Sequence, residues 1–389
     1  MPDTDTETST PSTDSFACLA PPIWRASTVV FNNLDEFVAR RQRMPDGFSY
    51  GTTGTPTQRV LEDRIAALDR AAHCVVLPSG IAAICATLLT FLKAGDHLLL
   101  TDAAYGQTKS FALERLAAFG VEVELYPPRI GAGIARLMRP NTRMVWMESP
   151  GTVTMELDDV PAIAAAAKAH GALTAIDNTW ASPLGFSPLS HGVDLCIHAC
   201  TKYMGGHSDV LMGSVATNDA ALYKSVRGLQ SMMGLAVSAE DCFLVSRGLD
   251  TLQVRLERQS ASAHMIAVQL AAHPMVRQVL FPALNTAPDH ALWARDFSQA
   301  GCLMSLHLVG APYAAHRALF SELKLFSIGA SWGGVRSIAS FYPAEELDKR
   351  RHCDIRGPVM RLSIGVEPPQ DLLDELLGAL RTFAQVLQP

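Results

Sequence analysis

Between about Thr55 and Thr217 the chain alternates short apolar runs with segments of helical period. No other feature narrows the fold so far. Runs that stay apolar at every position, rather than at every second one, suit strands buried on both faces, as in a parallel sheet covered by helices. The candidate strands are 74–77, 97–101, 121–126, 143–147, 172–176 and 195–199. Helices are predicted between them, among them 108–119 and the alanine-rich 160–170, which Gly171 stops. The first helix opens on Thr55-Pro56-Thr57-Gln58. Thr55 as N-cap, Pro56 at N1 and Gln58 at N3 predict a capping box, with Leu61, Ile65 and Leu68 as the apolar stripe behind it. Sheets of this kind bind ligands beyond the C-terminal ends of their strands.

Near residues 246–248 the character changes. Long helices over 252–272 and 369–387, with strand candidates at 302–308 and 359–364, predict a second α/β domain. The expected division is a tail and arm (1–54) that contacts a neighbouring subunit, a ligand-binding domain (55–246) and a C-terminal domain (247–389). Residues 1–15 lack the basic start and apolar run of a signal peptide and read as a disordered tail. The apolar stretch 81–92 is too short to span a bilayer, so no membrane partner is expected. A net charge of −6 without a basic block argues against nucleic acid. Charged residues make up 18%, below the roughly 25% of soluble chains, so core or subunit contacts cover much of the surface. The eight cysteines form no CxxC pair, which suits a reducing cytoplasm. Cys196, His198 and Cys200 are predicted on one face of a strand, but a fourth ligand and a zinc spacing are missing, and no metal is expected.

Four strand ends carry chemistry. Ser79-Gly80 opens a helix, where free N–H groups and the helix dipole attract an anion and Gly80 lets a ligand close to the backbone. Tyr105 follows the next strand and can stack on a flat ligand. Asp177 closes an apolar strand, where a carboxylate needs a partner such as a pyridinium N–H. Lys202 follows the last strand in a glycine-rich turn, where partial burial makes an amine nucleophilic, and Thr201 offers a hydroxyl. Taken singly, each has an ordinary structural reading: a helix cap, a loop aromatic, a turn-capping carboxylate, a snorkelling lysine. Taken together they are the parts that hold pyridoxal phosphate.

The run Glu148-Ser149-Pro150-Gly151, Ile176-Asp177-Asn178-Thr179-Trp180, Thr201-Lys202-Tyr203 and Gly206-His207-Ser208-Asp209 resembles the Cys/Met-metabolism family of pyridoxal-phosphate enzymes and, within it, the bacterial β-lyases that cleave cystathionine. The resemblance covers roughly Ala26 to the C-terminus. It implies the fold-type I, aspartate-aminotransferase-like architecture, a dimer-of-dimers homotetramer, and carbon–sulfur β-elimination on a small amino-acid thioether. γ-Lyases and γ-replacement synthases of the same family are the alternative. By resemblance Lys202 forms the Schiff base with the cofactor, Asp177 pairs the pyridinium, Tyr105 stacks on the ring, and Ser79, Gly80, Ile81 and Thr201 hold the phosphate. Arg361 binds the substrate carboxylate, Ser331 and Trp332 belong to a β-lyase Ser-Trp-Gly-Gly segment, and Tyr50 and Thr52 reach a neighbouring subunit's site. The sequence departs from the family where Thr52 and Thr53 replace arginines and Ser231 a tyrosine; Arg336 is the candidate replacement cation.

Overall fold

The apolar runs pair in the larger sheet of the computed structural model, which describes residues 19–387. The predicted tail at 1–15 lies outside those residues. The strands are β1 (His73–Leu77), β2 (His97–Thr101), β3 (Glu122–Tyr126), β4 (Thr142–Glu148), β5 (Leu173–Asp177), β6 (Leu195–His198) and β7 (Gly213–Thr217), in spatial order β1-β7-β6-β5-β4-β2-β3. From β6 to β3 all neighbours are parallel, whereas β7 runs antiparallel to both β1 and β6. The sequence reading does not include β7: its Gly-Ser-Val-Ala-Thr has little apolar signal, and pairing on both sides makes it a strand. The other six strands bring their C-terminal ends to one edge. Val76, Leu99, Val145 and Ile176 face one buried cluster, and Val75, Leu98, Trp146 and Ala175 face another. Two covered faces explain why the runs do not alternate.

The helices follow their local signals. Thr55 caps the Pro56–Asp69 helix in a capping box with Gln58, and Leu61 and Ile65 are fully buried. Ser79 Oγ accepts from the Ala82 N–H at the start of the Gly80–Phe91 helix. The Val160–His170 helix ends on Gly171 in the left-handed region. The helix predicted at 108–119 instead begins at Gly106 and passes through a π turn (Phe111–Leu116) into a 3-10 turn (Ala117–Phe119).

The second sheet has strands β8 (Val276–Leu280), β9 (Leu303–Leu308), β10 (Ser327–Ile328), β11 (Ile338–Tyr342) and β12 (Val359–Ser363), in order β10-β11-β12-β9-β8. Only β10 and β11 pair in parallel. The helices Leu252–Ala271 and Pro369–Leu387 belong to the same part of the chain. One apolar cluster runs from Leu61 and Met147 through Trp180 to Ile266, Leu362 and Phe383, so the two sheets share a continuous core. Two hydrogen bonds join their ends: Trp180 Nε1 donates to Leu303 O at 3.0 Å, and the Cys302 N–H donates to Tyr203 Oη at 2.8 Å. The arm buries little, and its Leu34–Ala39 helix contains no buried residue. No helix among the described residues is long and apolar enough to cross a membrane.

Candidate active site

A cavity of about 440 Å³ lies where the C-terminal edge of the larger sheet meets β12. Ser79, Gly80, Ile81, Tyr105, Asp177, Thr201, Lys202, Trp332 and Arg361 all line it.

The Gly80–Phe91 helix points its N-terminus into this space. Packing by itself calls for glycine at position 80. A Cβ there would stand 2.7 Å from Ala199 Cβ, so the close passage of β6's end is what excludes a side chain. Thr201 lines the cavity while its hydroxyl bridges the backbone of Met212, donating to the carbonyl at 3.2 Å and accepting from the N–H at 3.0 Å.

Asp177 is the last residue of β5. Its Oδ1 accepts from the Thr179 N–H and hydroxyl. Burial raises its pKa nonetheless, with those bonds and the charges of His198 and Lys202 opposing. Such a carboxylate is stabilised by a cationic N–H in the cavity. Lys202 Nζ lies 2.9 Å from Ser331 Oγ and 5.4 Å from the centre of the Trp332 ring. Burial, then the Arg361 charge, bring its pKa down to about 8. Arg361 is buried rather than on the surface, and its Nη2 donates to Ala330 O and Ser340 Oγ, each at 3.2 Å. Tyr105 is half-exposed over the cavity.

The sequence reading assigned no role to several neighbours. Glu148 ends β4 in register with Asp177, and its Oε2 accepts the Tyr105 N–H at 2.6 Å. Burial and the Asp177 charge push its carboxyl well up. The signal was present: like Asp177, Glu148 is a carboxylate closing an apolar run. Lys109, Tyr342, Glu346 and Arg350 also line the cavity. Lys109 belongs to the predicted 108–119 helix, and Tyr342, Glu346 and Arg350 to a stretch for which no element is predicted; nothing local points to any of them.

Other expected residues lie elsewhere. Tyr50 and Thr52 line a separate depression with Arg25 and Glu240, away from this chain's own cavity. Thr53 is buried, its hydroxyl donating to Tyr50 O at 2.7 Å. Ser231 sits on the Ala220–Met233 helix, and Arg336 is exposed and outside the cavity. The predicted grouping of Cys196, His198 and Cys200 is corrected. β6 ends at His198, so Cys200 falls beyond the strand, and Asp69 joins Cys196 and His198 instead. Asp69 Oδ1 lies 2.8 Å from His198 Nε2, within hydrogen-bond distance.

The donor set fits pyridoxal phosphate: a helix N-terminus for an anion, an aromatic ring, a buried carboxylate in need of a cation, and an amine of depressed pKa around one cavity. Comparison with known proteins agrees. Residues 4–381 match the family described as Cys/Met metabolism PLP-dependent enzyme. The chain is 38% identical over 361 residues to a cystathionine beta-lyase of Escherichia coli, covering 91% of each protein. It is 37% identical over 363 residues to a cystathionine beta-lyase of Bordetella avium, covering 92% of this chain and 91% of the relative. The crystal structure of a cystathionine gamma synthase from Xanthomonas oryzae pv. oryzae, in complex with aminoacrylate and cysteine, superposes with a TM-score of 0.88 at 33% identity. That match covers 96% of this chain and 95% of that one.

Proposed function

The chain belongs to the Cys/Met metabolism PLP-dependent enzymes, and on that footing we propose that it is a carbon–sulfur β-lyase of amino-acid metabolism. It would convert cystathionine, or a related cysteine thioether, and water to a thiol, pyruvate and ammonia. With cystathionine the thiol is homocysteine. The observation that carries this reading is the Lys202 amine, of pKa about 8, set between Asp177, Arg361 and the Ser331-Trp332 segment.

When bound, pyridoxal phosphate supplies the ring that accepts the electron pair left at the substrate's Cα. The chain's own residues do the rest. The amides of Gly80 and Ile81, with Ser79 and Thr201, receive the phosphate at the helix N-terminus. Tyr105 covers the ring face, and Asp177 holds the proton on the ring nitrogen. Arg361 takes the substrate carboxylate in its guanidinium fork, beside Ser331 and Trp332. Lys202 Nζ removes the Cα proton and delivers a proton to the departing sulfur.

The exposed apolar arm supports a further part of the reading: Tyr50 and Thr52 complete the site of a neighbouring subunit in a dimer-built homotetramer. The two sheets support the division at 1–54, 55–246 and 247–389. A cytoplasmic location accords with seven described thiols that are all free.

The γ-synthase likeness makes γ-chemistry the second reading. Purified enzyme should be mixed with cystathionine, cysteine and methionine, and the oxoacid identified. Pyruvate is expected, and 2-oxobutyrate as the sole product would replace the β-reading by the γ-reading. Lys202→Ala should abolish turnover; retained activity would remove Lys202 from the reaction.

A further inference from the structure

We propose that Glu346, at the mouth of the cavity, selects cysteine thioethers whose far end carries an ammonium group. The inference rests on the β-lyase reading of the same site. It comes from the cavity's charges and their partners. Lys109 Nζ donates to Asp102 O at 2.9 Å and lies 3.5 Å from Asp102 Oδ1. Arg350 donates to Glu156 Oε1 at 3.1 Å and also bonds Thr154. Glu148 accepts from the Tyr105 N–H, and Asp177 from Thr179. Lys202 and Arg361 serve the reacting centre. Glu346 remains: it is exposed on the short Ala344–Leu347 helix and lines the cavity, and its carboxylate pairs with no cation among the described residues.

The order of groups matters as much as the charge. Tyr342 lies with its ring centre 5.1 Å from the Arg361 guanidinium, and its phenol feels both Arg361 and Glu346. Val153 and Leu347 form an apolar wall beside it. Read outward from Arg361, the cavity offers a cation, an apolar wall and a carboxylate. An α-carboxylate, a methylene–sulfur chain and a terminal ammonium match that sequence. A terminal carboxylate meets Glu346 and finds no uncommitted cation of this chain. Thr52 and Thr53 add none, and Arg336 lies outside.

The test separates binding from chemistry. The holoenzyme is titrated with L-lysine, L-norleucine and L-2-aminoadipate, which are of similar length and carry no β leaving group, following the cofactor absorbance. Lysine should bind about tenfold tighter than aminoadipate, since attraction to one is matched by repulsion of the other. Glu346→Gln should weaken lysine about fivefold, the upper range for an exposed ion pair, and leave norleucine unchanged. Glu346→Lys should invert the order. An unchanged order in both variants, or a wild type without preference, overturns the proposal. Unaltered norleucine affinity certifies the fold of each variant. S-(2-aminoethyl)-, S-propyl- and S-(2-carboxyethyl)-cysteine are then assayed for pyruvate. Ammonium preference in binding with no pyruvate from any of them would sink the β-lyase reading and leave the specificity of Glu346 standing. Pyruvate from all three at equal kcat/KM, with equal affinities, would do the reverse.

Discussion

Lys202 and Arg361 are close enough that the guanidinium changes the chemistry of the amine. Burial and the guanidinium bring the Lys202 amine to about 8, against an ordinary value of about 10.4. Below pH 8 the amine is protonated and inert; above it, the neutral nucleophile predominates. In cofactor-free protein, acylation of Lys202 by a small amine reagent, followed by peptide mass spectrometry, should therefore rise through a midpoint near pH 8. Exposed lysines should rise only near their ordinary value, and a shared midpoint would contradict the environment described here. Arg361 is buried and held by Ala330 O and Ser340 Oγ, which fixes its fork. Arg361→Ala should raise KM for the thioether roughly hundredfold, the scale of losing one partner of a buried charge pair, with a smaller change in kcat. Lys202 was legible because charge at the end of an apolar strand is costly without a purpose, whereas Arg361, inside β12, was reached only through the family resemblance of its segment. Glu148 met the same criterion, and only its pairing with the Tyr105 N–H shows what it does. Glu346 met none, because a carboxylate in a charged surface stretch has no local mark.

The Pro56–Asp69 helix is written almost completely in its own residues: cap, proline and apolar stripe are contiguous. Its Glu62 is not explained that way. Glu62 is buried, accepts the Val76 N–H at 3.0 Å, and pairs with Arg227 and Arg59 at 2.6 Å each. It thereby ties this helix to β1 and to the Ala220–Met233 helix. Arg227 is itself almost fully buried, so Glu62→Ala strands a cation in the core. Chemical denaturation should show a loss of about 3–5 kcal/mol; a loss under 1 kcal/mol would mean that water or another group satisfies Arg227. β7 is the counter-example among strands. Its five residues say little, and it is a strand because β1 and β6 leave a gap of one strand's width for it to fill.

At the level of the whole molecule, the site exists only where two sheets meet. Lys202 follows β6 of one, and Arg361 lies within β12 of the other. Their shared apolar core holds the cavity's walls at fixed separation. The arm completes the picture from outside. Leu34, Phe37 and Val38 lie at helical spacing on one stripe and are 73%, 45% and 66% exposed in the single chain, an apolar face that calls for a partner. Phe37→Asp combined with Val38→Asp should shift sedimentation to a smaller species without changing circular dichroism. An unchanged assembly would remove the arm from the interface.

The parallel sheet, its covered faces, most helix boundaries and the residues at four strand ends follow from local pattern, because periodicity, caps and the cost of burying charge act over a few residues. Contacts between residues far apart in the chain are set by packing. They decide that Gly80 answers to Ala199, that Asp69 rather than Cys200 joins Cys196 and His198, and that Glu346 reaches the mouth of the site. The physical reason is that a side chain's partner across the molecule leaves no trace in its neighbours along the chain. The low charged fraction forecasts covered surface; only the fold shows that it is spent on one core beneath two sheets and on an arm with its apolar face outward.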